Sequence, residues 1–449
     1  MSFHEAWGRG RLCSAAALYC ATVFSTWVQM FKNQSMRIQK TGSYRIRHFR
    51  SACLLFCLLI GFVASGCASG RLNNARKTFY NGSPDQAAGV LSKEDDITGR
   101  NELLYLMEKG AILHHAGDFQ KSTEALLKAT ALMKDQDIIS AGQQTASLVT
   151  TEWLTDYKGE YAERLLVHTY LMMNFLLMEK HESALVEAKQ ALKVFDEYPD
   201  ACNSDFFTRA LIAHCFEALG EINGAYIEYK KLAELMGDST PVARRLYNLS
   251  ARLGFDDEVG RFSQYLPPSA PGQGKPGIGE VIIFFSQGRS PVKIPHDIVL
   301  PPSIRFSFST YEDRAPRLPP PSVGPLAGAR PGEMITTDVG AVLRASLKER
   351  LAQIIIKETA RVAAKEAIAH NIDNDGAELL VRLIFFLMEV PDTRGWQTLP
   401  AYFSMVRIPV SDPNRPIRIP GTGQTVTLPE RDESRSSGPF YYYFSIRNP

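Results

Sequence analysis

Several features are scarce in this sequence of 449 residues, and each scarcity excludes a class of protein. Only three of the 26 prolines precede Leu266, so little interrupts helices in the first half of the chain. Of the seven cysteines, only Cys67, Cys202 and Cys215 lie at or beyond residue 67, too few for a fold built on disulfides. Cys202 and Cys215 could pair in an oxidising compartment. About ten residues of predicted helix hold them roughly 15 Å apart, which favours two buried free thiols.

Catalytic motifs are also missing from the sequence. It contains no P-loop, no dinucleotide-binding glycine fingerprint, no nucleophile-elbow serine and no HExxH zinc motif. We therefore predict that the protein is not an enzyme and that it has no cofactor and no metal site.

Basic residues are in excess only at the start of the chain. Residues 1–66 carry eight Lys or Arg and one Glu, and subtracting these from 50 basic and 48 acidic residues leaves 42 and 47. The remainder is thus mildly acidic, whereas a nucleic-acid-binding protein needs a basic face. We predict no nucleic-acid partner.

An export signal explains the basic start. Residues 36–50 are basic, an apolar run follows from Ala52 to Ala64, and the sequence ASGC ends on Cys67. This order is typical of a secretory signal peptide, and the run is too short to span the roughly 30 Å hydrocarbon core of a bilayer. The ending resembles a bacterial lipobox, although Ala64 stands where that pattern usually has Leu.

The resemblance implies that Cys67 is lipidated and becomes the mature N-terminus. Without an Asp after it, the outer membrane is the predicted location, on its periplasmic face. The alternative is that Cys67 is an incidental residue after an ordinary signal peptide or a short anchor. A second apolar run, Leu12 to Phe31, is long enough for a marginal membrane span. We predict that translation starts at Met36 and that residues 1–66 form the signal region.

Paired helical segments fill residues 67–265. Gly82, Gly117 and Gly220 mark the turns of three pairs, and a fourth pair has no turn glycine. Gly82 and Gly117 are 35 residues apart, close to the period of about 34 of tetratricopeptide repeats. The segment resembles a tetratricopeptide-like α-solenoid, with an irregular helical bundle as the alternative. In such an array, we expect the concave face to hold a peptide or protein partner.

The composition changes at Leu266. Residues 266–278 are rich in proline and glycine and predict a linker, and residues 279–449 alternate strand-like runs with two helices. The fold class predicted is therefore α+β multidomain, in which the helical repeat domain precedes a smaller α+β domain with antiparallel strands. In the longer helix, Val339 to about His370, one apolar stripe is expected to pack on the sheet, with membrane-surface binding as the alternative. The predicted stripe comprises Leu343, Leu347, Leu351, Ile354, Ile355 and Val362, and the residues mostly opposite it are Lys348, Glu349, Lys357, Glu358, Arg361 and Lys365.

Two short motifs resemble ligand sites. His114 and His115 are adjacent on a helix, so their rings point about 100° apart and cannot share a metal. Residues 371–376 partly resemble a calcium loop, but Arg382 stands at the twelfth position, where calcium needs Glu. We interpret the first motif as surface or packing residues and the second as a turn between helices.

The loop from Pro391 to Pro400 is the most distinctive irregular stretch. Arg394, Trp396 and Gln397 are candidate partner-binding residues because Trp and Arg dominate such sites. The alternative is a structural corner in which Trp396 fills the core and Arg394 caps carbonyls.

Three stretches resemble a family of bacterial lipoproteins of undetermined function with a tetratricopeptide-like N-terminal half. They are Asp156–Leu177, Gly279–Lys293 and Pro391–Val410. Members are often encoded beside lipoproteins that activate penicillin-binding proteins, so the resemblance implies a role in cell-envelope or peptidoglycan assembly. We predict a lipid-anchored periplasmic scaffold for a protein or peptide partner. The alternative is an envelope enzyme that acts on cell-wall material through its C-terminal domain.

Overall fold

The computed structural model describes residues 67–91, 99–142, 155–266, 279–300, 304–315, 319, 334–372, 375–410, 417–418, 425–426, 428 and 440–448. The predicted start at Met36 and the signal region before Cys67 lie outside these residues, as do nearly all of the predicted linker and residues 373–374 of the calcium-like loop. Residues 68–449 form one compact unit.

Helices occupy the described residues up to 263, as the scarcity of proline predicts. They are α1 Cys67–Tyr80, α2 Pro84–Val90, α3 Glu102–His115, α4 Phe119–Gly142, α5 Tyr161–Leu177, α6 His181–Glu197, α7 Pro199–Cys202, α8 Phe206–Ala218, α9 Ile222–Met236, α10 Ala243–Leu253 and α11 Asp256–Ser263. Cys202 and Cys215 are buried and free, as expected.

Successive helices pack as hairpins, for example α3 with α4, α5 with α6, and α8 with α9. Gly110 permits the closest approach: a Cβ there would come within 2.4 Å of Leu126 Cδ2. Across the same contact, the Ser122 hydroxyl donates to the Gly110 carbonyl at 2.7 Å. Small residues thus bring the helices together, as the repeat pattern predicts. The arrangement of the hairpins as a solenoid stays a prediction.

The hairpin of α5 and α6 has no glycine at its turn, but a residue there adopts the same left-handed backbone conformation. Gly117 and Gly220 adopt φ of 81° and 75°, in the left-handed region. Between α5 and α6 the equivalent position is Glu179, with φ of 58°. A side chain in this region costs about 1–2 kcal/mol relative to glycine. The turn is therefore kept at an energetic cost.

The described residues after 278 contain β1 Gly279–Gln287, β2 Val292–Leu300, β3 Ile304–Glu312, β4 Met334–Asp338, α12 Val339–His370, α13 Asp375–Met388, β5 Tyr402–Val410, β6 Ile417–Arg418, β7 Thr425–Val426 and β8 Phe440–Asn448. Strands β4, β5, β1 and β8 form one sheet in that order, and β2 pairs with β3, and β6 with β7, in separate two-stranded sheets.

The four-stranded sheet is mixed. Strand β1 is antiparallel to β5, but it is parallel to β8, with Gly279 opposite Phe440. The expectation of antiparallel strands is therefore wrong at this edge. Val410 at the end of β5 and Phe440 at the start of β8 are both opposite Gly279, so β5 and β8 are antiparallel to each other and lie on either side of β1.

One face of the sheet belongs to the same core as the helices. Ile282 and Phe284 of β1 are buried in the cluster that contains the helical residues, and Phe403 stacks on Phe207 of α8 at 5.0 Å. The opposite face, with Val281, forms a second cluster with residues of β5 and β8. The composition changes near Leu266, where the described elements change from helices to strands. The side chains of the sheet nevertheless pack against those of the helices in one core. The domain limits drawn from composition stay predictions.

Candidate interaction surface

Trp396 lies in the core. It is 2% exposed, and its ring centroid is 5.4 Å from that of Tyr170 on α5. Its backbone N–H donates to Glu163 at 2.7 Å, and its indole N–H donates to Thr398 at 3.0 Å. These bonds insert the loop 391–400 between the helices.

Arg394 and Gln397 also bond within the protein. The Arg394 guanidinium donates to the carbonyls of Arg100 and Thr155, at 3.0 and 3.1 Å, and it pairs with Asp392 at 2.8 Å. The Gln397 N–H donates to Glu108 at 2.8 Å. This is the geometry of a structural corner. Partner binding by Arg394, Trp396 and Gln397 stays a prediction without a described contact to support it.

The first helices of the hairpins face the protein's own strands. His114 on α3 lies 2.7 Å from the Ser445 hydroxyl of β8, and His214 on α8 lies 3.0 Å from that of Tyr443. Phe207 of α8 donates its N–H to the Thr337 hydroxyl of β4 at 2.7 Å. Strands of the same chain therefore cover these residues of α3 and α8, and partner binding on a concave face of the array stays a prediction.

A serine, a histidine and an asparagine lie in line at this contact. His114 is 2.7 Å from Ser445 through Nε2 and 2.6 Å from Asn174 through Nδ1. This order is also that of groups that activate a serine nucleophile. Burial lowers the pKa of His114 to about 4, despite its hydrogen bond with Asn174. A base with so low a pKa is poorly matched to neutral pH, and the side chain is 1% exposed. The geometry is that of a buried polar link between α3, α5 and β8.

A buried ion network attaches α12 to the helices. Glu160 precedes α5 and pairs with Lys293 of β2 and, at 2.7 Å, with Arg350 of α12. Burial opposes ionisation of Glu160, but the two cations lower its pKa to about 2. The first part of α12 is thus fixed to the core, where Val342 and Leu343 are buried.

The predicted stripe of α12 is buried or half-buried except at Ile355, but three of the charged residues predicted opposite it are buried as well. Glu358, Arg361 and Lys365 are 6%, 3% and 8% exposed, whereas Ile355 and Ile356 are 54% and 69% exposed. The sequence analysis placed Ile355 on the buried face and these charged residues mostly opposite, so this prediction is wrong at these positions. The helix also packs mainly on α7, β3 and α13 and only slightly on the four-stranded sheet.

Glu389, which follows α13, is the counter-ion of the buried cations of α12. This buried carboxylate lies 3.2 Å from Arg361 and pairs with Lys365, while Arg361 also pairs with Glu358 at 2.6 Å. A charge can be buried when it is paired in this way. Because the ions occupy the space between α12 and α13, the apolar side chains point outward.

Six exposed apolar residues result, which we call the exposed apolar set. On α13, Leu379 is 70% exposed. The set comprises Ile355, Ile356 and Ile368 of α12 and Leu379, Leu380 and Leu383 of α13. Contiguous exposed apolar areas mark interaction sites, whereas single exposed residues are ordinary. Leu379 and Leu383 are four residues apart and therefore lie on one face of α13. Helical periodicity in the sequence predicts the two helices. It cannot predict the exposed apolar set, because Glu389, which balances the buried charges of α12, lies outside that helix.

The described part of the chain was searched for a metal site and for a membrane-spanning helix. No group of three His, Cys, Asp or Glu side chains is placed to hold a metal ion. Among the helices whose residues are described, none has the length and apolar character needed to cross a membrane. Cys67 is the first residue of α1, and its lipidation stays a prediction.

Comparisons with known proteins give distant structural matches. No protein-family model matches the sequence, and no curated protein does. MamA 41-end from Desulfovibrio magneticus RS-1 is 16% identical, with a TM-score of 0.31 over 44% of this chain and 90% of that chain. The MamA RS-1 ArsTM double mutant is 14% identical, with a TM-score of 0.32 over 44% and 91%. Matches at this level carry no argument about function.

Proposed function

We propose that this protein is a lipid-anchored scaffold in the bacterial periplasm that binds a protein partner through the exposed apolar set. The observation that carries the proposal is the region of α12 and α13 that buries Arg361 and Lys365 and exposes isoleucines and leucines. Such an arrangement is favourable when a partner covers the apolar side chains, since burying a leucine contributes about 1.5–3 kcal/mol.

The charge pattern favours a protein over a lipid surface. A helix that binds anionic lipids presents a basic polar face. Here Arg382 pairs with Glu366 and, at 2.8 Å, with Glu378, and the cations between the helices pair with carboxylates. Arg382, the cation next to Leu383, is thus paired and is not free to bind anionic lipid headgroups.

The anchor is proposed from the signal pattern that ends on Cys67. The described residues begin at Cys67, the proposed lipidation site, so cleavage before Cys67 would retain all of them. The role in envelope or peptidoglycan assembly comes from the lipoprotein-family resemblance alone. Intact mass measurement of membrane-extracted protein tests the anchor: an acylated N-terminal Cys67 is expected, and an unmodified chain that retains residues 1–66 would contradict it.

Paired substitutions test the docking surface. Leu379→Asp and Leu383→Asp should each weaken binding of an identified partner at least about tenfold, the loss expected from one buried leucine. Ile227→Asp on α9 is the matched control, because Ile227 is 56% exposed but lies outside the set. Equal affinity in all three variants would refute docking at α12 and α13.

The Ser445, His114 and Asn174 contact is the observation that favours an enzyme instead. Labelling with a fluorophosphonate, which reacts with activated serines, tests this alternative. We expect no label on Ser445, because burial makes His114 a weak base. Labelling that Ser445→Ala abolishes would favour the hydrolase.

A further inference from the structure

Three arginines from separate elements surround one tyrosine ring. Tyr80 ends α1, Arg289 follows β1, Arg314 follows β3, and Arg447 lies near the end of β8. Their guanidinium carbons lie 4.4, 4.9 and 5.6 Å from the centroid of the Tyr80 ring. Positions 80, 289, 314 and 447 are far apart in the sequence, so only the fold brings the cations together.

One arginine is held firmly and positions the ring. Arg314 donates to the Ser290 carbonyl at 2.6 Å, to the Gln397 carbonyl at 2.8 Å and to the Tyr80 hydroxyl at 3.1 Å. The Tyr80 hydroxyl in turn donates to the Gln397 carbonyl. Because Gln397 lies in the loop 391–400, the cluster is fixed to the core.

The other two arginines keep donors to spare. Arg289 donates to the Tyr80 carbonyl at 3.3 Å. Arg447 donates to the Gly288 carbonyl at 3.3 Å, lies 3.5 Å from His115, also bonds to the Tyr80 side chain and lies 4.5 Å from the centroid of the Phe79 ring. An arginine has five N–H donors, so these few long bonds use only a part of them. Arg289 is exposed, and Arg447 is partly exposed, so a ligand can reach both.

Among the described residues, the cluster carries positive charge without a matching carboxylate. None of the three arginines has an ion pair with a described residue, and Glu108 of the adjoining network is taken by Arg76 at 2.6 Å. Burial lowers the pKa of Arg447, Tyr80 and Tyr170 oppose this effect, and the charge of Arg314 adds to it. Like charges repel one another, so an anion that contacts more than one of these guanidinium groups would reduce the repulsion.

We propose that Tyr80, Arg289, Arg314 and Arg447 form a binding site for the phosphate group of a phosphate ester. Guanidinium groups bind phosphate through parallel N–H bonds, and a doubly charged group with several acceptor oxygens can contact cations that approach from three directions. The same chemistry fits a free phosphate monoester or the headgroup of phosphatidic acid, whose phosphate is also a monoester. The site is separate from the exposed apolar set, and it does not depend on the proposed scaffold function.

Thermal unfolding of the full-length protein tests the site, with inorganic phosphate compared against chloride at equal ionic strength. A ligand that binds the folded state raises the unfolding midpoint in proportion to the logarithm of its concentration above Kd. Arg289→Gln should weaken phosphate affinity about tenfold, the effect of one charge-assisted hydrogen bond. Arg252→Gln is the matched control, because Arg252 is also exposed and lies on α10.

Arg289→Glu is a second test variant, for which we expect a higher unfolding temperature in the absence of phosphate. The new carboxylate would supply the missing anion, so this variant should unfold at a higher temperature than wild type in chloride and should lose the response to phosphate. Together, these results would support the site even if one variant folded poorly.

Vesicles distinguish the two sources of phosphate. Binding to phosphatidic acid vesicles, weakened both by inorganic phosphate and by Arg289→Gln, would assign the site to a lipid headgroup. Binding of inorganic phosphate or glycerol phosphate with no vesicle binding would assign it to a soluble ester. Equal midpoints in phosphate and chloride, or a phosphate response that Arg289→Gln and Arg289→Glu retain, would overturn the proposal.

Discussion

Glu108 should hold the loop 391–400 against the helices, and replacing it with Gln should destabilise the whole protein. This fully buried carboxylate of α3 accepts from the N–H groups of Gln397 and Thr398, at 2.8 and 3.2 Å. It also accepts two bonds from Arg76, at 2.8 and 2.6 Å. Four donors from α1 and from the loop therefore converge on one side chain.

The size of the expected loss in the free energy of unfolding follows from the charge that Glu108→Gln removes. Glutamine keeps one acceptor oxygen and puts an NH₂ group where the second carboxylate oxygen was, and Arg76 is left without its counter-charge. Removing one partner of a buried ion pair costs about 3–5 kcal/mol, so Glu108→Gln should lower the free energy of unfolding by about 4 kcal/mol. Urea denaturation followed by circular dichroism and by tryptophan fluorescence would measure it.

Two comparisons make the result specific. Glu124→Gln on the exposed face of α4 should change the free energy of unfolding by less than about 0.5 kcal/mol. A double-mutant cycle with Arg76→Gln should give a coupling energy above about 1 kcal/mol. A loss below about 1 kcal/mol for Glu108→Gln, with an unchanged urea slope, would refute the docking of the loop on α3.

Three further changes test local features of the fold. Glu179→Gly should raise the free energy of unfolding by about 1 kcal/mol in urea, since it removes a side chain from φ of 58°; a decrease would contradict the strained turn. Gly110→Ala should lower it by about 1–3 kcal/mol through the clash with Leu126, whereas Gly89→Ala, with no atom within 4 Å, should not lower it; equal effects would contradict the close helix contact. Burial lowers the pKa of His214 to about 4, below its unfolded value near 6.5, so the unfolded state binds the proton first and stability falls as the pH drops from 6.5 to 4. Near pH 5 this histidine contributes about 1.2 kcal/mol per pH unit, and His214→Gln should reduce the measured slope by that amount; an unchanged slope would contradict a buried neutral imidazole.

Local patterns in the sequence predicted many of the elements. The helix Val339–His370 has the predicted limits, because its periodicity is long and Asp338 caps its first turn at 3.0 Å. Strand β2 was missed, since Pro295 and the polar residues after it break the strand pattern. Strand β4 was missed because it has only five residues.

The candidate surface could not be predicted, because it depends on which groups meet in space. Periodicity shows that a helix has two faces, but not which face meets a partner helix. Here the charged face of α12 is buried because Glu389, 24 residues from Lys365, supplies its counter-charge. The sheet that covers the first helices of the hairpins is likewise a contact between distant segments, which a reading of local periodicity does not reveal.

Site-specific photo-crosslinking in living cells tests the central claim most directly. A photoreactive amino acid would replace Leu380 in the exposed apolar set and, in a control, Ile227 on α9. The account predicts that position 380 crosslinks to one identified envelope protein, that Leu379→Asp abolishes the crosslink, and that position 227 gives none. Crosslinks from position 380 to lipid alone, to a second copy of this chain alone, or to nothing would contradict it.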